Sequence, residues 1–124
     1  MSIQDIHTAD LVTETHVHKS SIDVKLVGTA ESSSMEQLGN YLSQLHETAI
    51  ASKVREVVVD LRGLEFMNSS CFKKFVTWMS NLQDTPTDSQ YNVRFVSDER
   101  KHWQSRSLGA LACFAVDLIR LENA

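Results

Sequence analysis

Residues 57–72 read Val57-Val58-Val59-Asp60-Leu61-Arg62-Gly63-Leu64-Glu65-Phe66-Met67-Asn68-Ser69-Ser70-Cys71-Phe72. The apolar run at the front is short enough to be one buried strand, and its three consecutive valines predict a central strand from Val57 to Leu61 covered on both faces. A polar turn follows. It delivers Asn68, Ser69 and Ser70 to the first turn of an amphipathic helix from about Ser69 to Leu82, with Phe72, Phe75, Val76 and Met79 expected to face inward. Two hydroxyls thus come to a helix N-terminus, where unpaired backbone N–H groups and the positive end of the helix dipole favour an anion. A phosphate on either serine is therefore electrostatically tolerated in the folded state.

On the N-terminal side, polar and apolar residues alternate imperfectly from Thr13 to Lys19. They alternate more clearly from Ile22 to Val27, with Ile22, Val24 and Leu26 on one face. The pattern predicts a strand pair, turning at Lys19-Ser20-Ser21 and ending at Gly28. Ser33 with Glu36, or Ser34 with Gln37, has capping-box spacing ahead of Met35, Leu38, Leu42, Leu45, Ala49 and Ile50, so a helix is predicted from about Ser34 to Ser52. On the other side, the only proline, Pro86, breaks the chain between Asp84 and Asp88. Tyr91 to Val96 reads as a strand, and Ser97 or Asp98 as the cap of a third helix carrying Trp103, Leu108 and Leu111. Val116 to Leu121 alternates again as a last strand, although Leu108 to Ile119 fits either periodicity.

The sum is an α/β domain: a mixed central sheet of about five to six strands, an N-terminal hairpin, and three main helices packed on it. A chain of 124 residues fits one domain spanning 1–124, with residues 1–12 expected to form a loosely ordered extension. With 42% apolar and 23% charged residues and no apolar run of membrane-spanning length, no direct membrane insertion is expected. Residues 1–10 lack the basic start and apolar core of a signal peptide, which points to the cytoplasm. The net charge of −4, with scattered Lys and Arg, argues against direct nucleic-acid binding. Cys71 and Cys113 lie far apart and suit reduced thiols rather than a disulfide framework. The four glycines never cluster into a phosphate loop, and no cofactor is expected.

The turn at residues 67–71 resembles the signature of the STAS family, the sulfate transporter and anti-sigma factor antagonist domain. There a buried strand and short loop lead to an apolar residue followed by Asp-Ser-Ser-Gly at a helix start. Met67 stands in the apolar place, Asn68 in that of the Asp, Ser69 and Ser70 in those of the serines, and Cys71 in that of the glycine. More loosely, the order and spacing of elements extend the resemblance from about Thr13 to Leu121. It implies a STAS-like domain acting as a non-enzymatic partner-switching regulator.

In anti-sigma factor antagonists of this kind the first serine after the acidic residue is phosphorylated, which by position is Ser69, with Ser70 as the alternative. The partners so implied are a serine kinase that also sequesters a sigma factor, and a phosphatase that reverses the mark. A homodimer stays open. The docking surface would comprise Asn68, Ser69, Ser70 and Cys71, then Lys73, Lys74 and Thr77, together with Thr29, Glu31 and Ser32 from the loop at Gly28 to Ser33. Other STAS domains are components of lipid or anion transporters and do not rely on phosphorylation. The Asn68 and Cys71 departures keep that second reading, a transporter subunit, alongside the first.

Each residue also has a plainer reading. Asn-Ser-Ser is what local capping alone selects. Lys73 and Lys74 pair with a phosphate or an acidic partner residue, or they form a solvated helix face. Cys71 is a small packed hydrophobe or a redox-sensitive thiol near a helix start, and a catalytic role with His46 or His102 as base has no local motif behind it. His16 and His18 share a face of the first strand but lack a third metal ligand nearby in sequence, so no metal is expected.

Overall fold

Alternation in the first thirty positions builds an antiparallel pair, β1 (Leu11–Val17) and β2 (Ser21–Ala30), joined by a turn that His18 N–H closes onto the Ser21 carbonyl at 2.8 Å. Three crossovers then follow, of the kind that is right-handed as a rule: α1 (Met35–Ala51) to β3 (Glu56–Met67), α2 (Ser69–Asp84) to β4 (Asn92–Ser97), and α3 (His102–Phe114) to β5 (Ile119–Asn123). The structure, a computed structural model, describes residues 3–123. Sheet order is β1-β2-β3-β4-β5, with every pair after the first parallel. Because each crossover steps to the next strand in one direction with one hand, all three helices fall on the same face.

That placement corrects the expected two-sided cover of the central strand. Val57 and Val59 are fully buried under the helices, whereas Val58 between them is only half-buried on the open face. The open face is polar. Glu14, His16, Asp23, Lys25, Asp60, Arg62 and Arg94 border a shallow depression of about 470 Å³ there. On the helix face an aromatic cluster fills the centre. Phe95 of β4 meets Phe75 and Trp78 of α2 edge-on, at centroid distances of 6.2 and 6.4 Å.

Several boundaries differ from expectation for identifiable reasons. The segment expected to be loose up to residue 12 is packed where it is described: Ile6 is in the core, Leu11 opens β1, and a bridge from His7 to Val12 folds the segment along the outer edge of β1. β3 runs six residues past Leu61, so most of the expected polar turn is strand. Helix α2 turns a different side inward, burying Cys71, Phe75, Trp78, Met79 and Leu82 while Phe72 and Val76 are half-buried, because Trp78 takes the central place.

Neither serine caps α1 through its side chain, since Ser32–Ser34 already form a 3-10 turn that leads into the helix. The third helix starts later than expected. Asp98 instead accepts from the Arg100 N–H at 3.0 Å, and Lys101 occupies the cap position. Val116 is exposed in the turn before β5.

A buried polar chain ties α1, α2 and the segment before β4 together. Trp78 Nε1–H donates to the Tyr91 hydroxyl at 2.8 Å, leaving that hydroxyl to donate to His46 Nδ1 at 2.7 Å. In that arrangement the proton of a neutral His46 sits on Nε2, which faces Thr85 Oγ1 at 3.4 Å. Burial lowers the His46 pKa from its ordinary value of 6.5, so below that pH the unfolded chain binds more protons than the folded one. The contribution is complete above 6.5 and lost as pH falls through the folded value. Unfolding free energy measured by urea titration is expected to drop as pH falls below about 6.5, with a shallower drop in His46→Gln.

Gly28 has a φ of +112°, and a Cβ there would sit 2.0 Å from the Asp10 carbonyl oxygen, which accepts from Thr29 N–H at 2.8 Å. Only glycine lets the end of β1 lie this close to β2. Gly28→Ala is expected to cost at least about 3 kcal/mol in denaturant unfolding.

Candidate functional site

β2 and β3 pair to their ends, with Thr29 opposite Phe66 and Ala30 opposite Met67, so the β2–α1 loop and the start of α2 lie side by side. Asn68 locks them. Its backbone N–H donates to the Ala30 carbonyl at 2.9 Å, and its side-chain Oδ1 accepts from Cys71 N–H at 2.8 Å, the bond of an N-cap. The same side chain's Nδ2 donates to Ser32 Oγ at 3.1 Å, a bond for which a carboxylate has no proton. Across the same seam the Cys71 thiol donates to the Glu31 carbonyl at 3.3 Å, while within the β2–α1 loop Thr29 Oγ1 donates to Glu31 Oε2 at 3.2 Å.

Ser69 is exposed at the first position of α2, Ser70 is half-buried at the second, and neither hydroxyl has a partner among the described residues. The N-cap bond satisfies the third N–H of the helix and leaves those of Ser69 and Ser70 without intrahelical acceptors. Thr29, Glu31, Ser32, Asn68, Ser69 and Ser70 are therefore one surface. Lys73 extends it as an exposed cation. Lys74 is half-buried, with its stem lying against Gly39 of α1, and Thr77 spends its hydroxyl on the Lys73 carbonyl at 3.0 Å. Lys74 and Thr77 border a groove of about 530 Å³ between α1 and α2, with Glu36, Asn40, Ser43 and Asn81.

Cys71 does not belong to that surface. It is fully buried, and burial raises its thiol pKa, with Lys74 pulling the other way more weakly. It is the small packed hydrophobe of the two readings, and the thiolate of the other is disfavoured. His46 is held by Tyr91, and His102 is exposed at the start of α3. His18 lies in the turn after β1, paired with Asp23 at 3.0 Å, and so is not on a strand face with His16. No group of three or more His, Cys, Asp or Glu residues among those described is arranged to hold a metal ion.

Solved structures share this architecture. An anti-sigma factor antagonist from Mycobacterium paratuberculosis superposes with a TM-score of 0.62 at 16% identity, over 91% of this chain and 86% of its own. The anti-sigma factor antagonist SpoIIAA in its unphosphorylated form gives 0.61 at 13% identity, over 90% and 87%. The chain has the STAS-like fold of these antagonists. No family model matches the sequence, and no curated protein does. At such identities what is held in common is the arrangement of strands and helices.

Two residues of this region escape a reading by sequence period. Phe66, an aromatic residue 47% exposed opposite Thr29 near the end of β3, is hidden in the sequence because Arg62-Gly63 reads as a turn. Gln104 is fully buried and donates to the Leu61 and Leu64 carbonyls at 2.6 and 3.0 Å, while its Oε1 accepts from Asp98 N–H at 2.9 Å. β4 pairs with β3 only as far as Asp60, so this side chain takes the place of the missing neighbour strand. The Asn68 cap sets the cost of opening the turn. Asn68→Ala is expected to lower unfolding free energy by about 1 kcal/mol, read by urea titration.

Proposed function

We propose that this protein is a non-enzymatic partner-switching regulator of the anti-sigma factor antagonist type. Its surface of Asn68, Ser69 and Ser70 with Thr29, Glu31 and Ser32 docks a serine kinase of the anti-sigma kind. Phosphorylation of Ser69 releases that partner, and a phosphatase restores docking. The observation that carries the reading is the Ser69 hydroxyl, exposed and unengaged at the first position of a helix in the antagonist fold. A phosphoryl group there meets the free N–H groups of Ser69 and Ser70 and the positive end of α2, so the domain carries the mark without refolding. Against a docked partner the same group adds roughly two negative charges that need desolvation, and contact is lost. Exposed Lys73, one turn on, is the cation nearest in sequence to receive it.

One observation favours the second reading, a transporter subunit docked without phosphorylation. Asn68 spends both ends of its amide on holding the turn shut, which suits a fixed surface. Affinity purification of wild type, Ser69→Ala and Ser69→Asp from the native cells, with intact mass spectrometry, separates the two. A phosphate on wild type that Ser69→Ala lacks, and a kinase-like partner lost in Ser69→Asp, are the expected results. An unmodified protein that copurifies with a membrane transport complex in all three forms overturns the switch.

A further inference from the structure

The two edges of the sheet are finished differently. The outer edge of β1 is covered by the chain's own residues 6–8, through the bridge between His7 and Val12 and the bonds from Thr13 N–H to the Ile6 carbonyl and Thr8 N–H to the Leu11 carbonyl, each 3.0 Å. β5 has no such cover among the described residues. Its pairing with β4 sets Ile119 opposite Val93 and Leu121 opposite Phe95, with Val93 N–H donating to the Leu118 carbonyl at 2.8 Å. In a parallel ladder this register turns the backbone groups of Arg120 and Glu122 toward β4 and those of Ile119, Leu121 and Asn123 toward the free edge. Leu121 thus offers both an N–H and a C=O outward, and its side chain, on the helix face, is 48% exposed.

We infer that β5 is a self-association edge: a second copy of this chain pairs with it antiparallel, about a twofold axis at Leu121. In that register Leu121 faces its own equivalent as a hydrogen-bonded pair, exchanging two N–H to C=O bonds, and Ile119 faces Asn123 in the same way. Arg120 then stands directly opposite the second copy's Glu122, and Glu122 opposite its Arg120, in the close pairing where cross-strand charges interact most strongly. Arg120 makes no ion pair within the described residues. Glu122 is held by Arg94 at 2.9 Å, which also reaches Glu56 at 3.3 Å, and Arg94 stands directly opposite Arg120 in the β4–β5 ladder, so the second copy's Glu122 brings Arg120 a carboxylate where its own sheet sets a like charge beside it. On the helix face the two Leu121 side chains meet. Phe114 and Val116, just before β5 in the chain, are further exposed apolar residues.

The charge pattern makes the pairing self-specific and testable by swap. Wild type is expected to dimerise in sedimentation equilibrium. Arg120→Glu and Glu122→Arg, each placing like charges opposite one another twice, are expected to raise the dimer dissociation constant at least about tenfold. Mixed one to one, the two variants are expected to form a heterodimer, because each then faces its opposite; circular dichroism of each variant checks that it folds. A wild type that stays monomeric up to about 1 mM overturns the inference. So does a dimer that Arg120→Glu leaves unchanged, or a mixture of the variants that fails to associate.

Discussion

The parallel pairing of β2 with β3 is the constraint on which the rest of the molecule depends. It is the central ladder, and it runs beyond the point where β4 stops, so the last residues of β3 are held from one side by strand and from the other by a side chain. Two devices make that extension stable. Gly28, with its backbone in the left-handed half of conformational space, lets the Asp10 carbonyl approach and keeps β1 alongside as β2 changes register. Gln104 answers the carbonyls of Leu61 and Leu64 that β4 has abandoned, groups that would cost about 1–3 kcal/mol each if left buried and unpaired. Together they carry Met67 to the level of Ala30 and so place Asn68 beside Ser32.

From that placement the electrostatics of the α2 start follow. Asn68 satisfies one helix N–H and leaves the first two unsatisfied, so a neutral cap sits beside a pair of hydroxyls and a partial positive charge. A carboxylate in the same position would cap as well and would also repel an incoming anion. Removing that charge makes the turn more accommodating to a phosphate on Ser69, while the amide's second hydrogen bond, to Ser32, makes the turn stiffer. Cys71 works in the same direction. Its side chain points into the core and its thiol reaches the Glu31 carbonyl, which joins the two halves of the surface from beneath.

Much of this was legible in the residues. Alternation in Ile22, Val24 and Leu26, the three- and four-residue steps of α1, and the Pro86 break all became the elements they predict, and the Asn-Ser-Ser run became a capped helix start. What the period could not convey was set by tertiary geometry. Val58 is chemically the same as Val57 and Val59, and only the shared hand of three crossovers decides that its side of the sheet stays open. Arg62-Gly63 has the composition of a turn but lies within a strand, because the β2 irregularity near Val27 accepts a residue without a side chain opposite it. Helix α2 is apolar at Cys71, Phe72, Phe75, Val76, Trp78 and Met79, a stripe wide enough to pack by either side. The fit of Trp78 against Phe95 and Tyr91 chose one.

A sheet covered on one face only must solve the problem of its other face, and here charge solves it. Arg94 stands between Glu56 and Glu122, and Arg62 folds back on Asp60 through two side-chain bonds, so the open side is a hydrated surface of paired charges rather than an apolar plane seeking cover. That pairing stops at Arg120, which faces Arg94 across the ladder and has no counter-charge among the described residues, at a sheet edge that none of the described residues covers. Antiparallel pairing about Leu121 supplies the missing carboxylate and reverses the strand direction from one copy to the next. The C-terminal ends of β2 and β3, with their serines, then point to opposite ends of the joined sheet. The Asn68–Ser70 turn of each copy stays clear of the other, so self-association at β5 and the partner exchange proposed for Ser69 use different parts of the molecule.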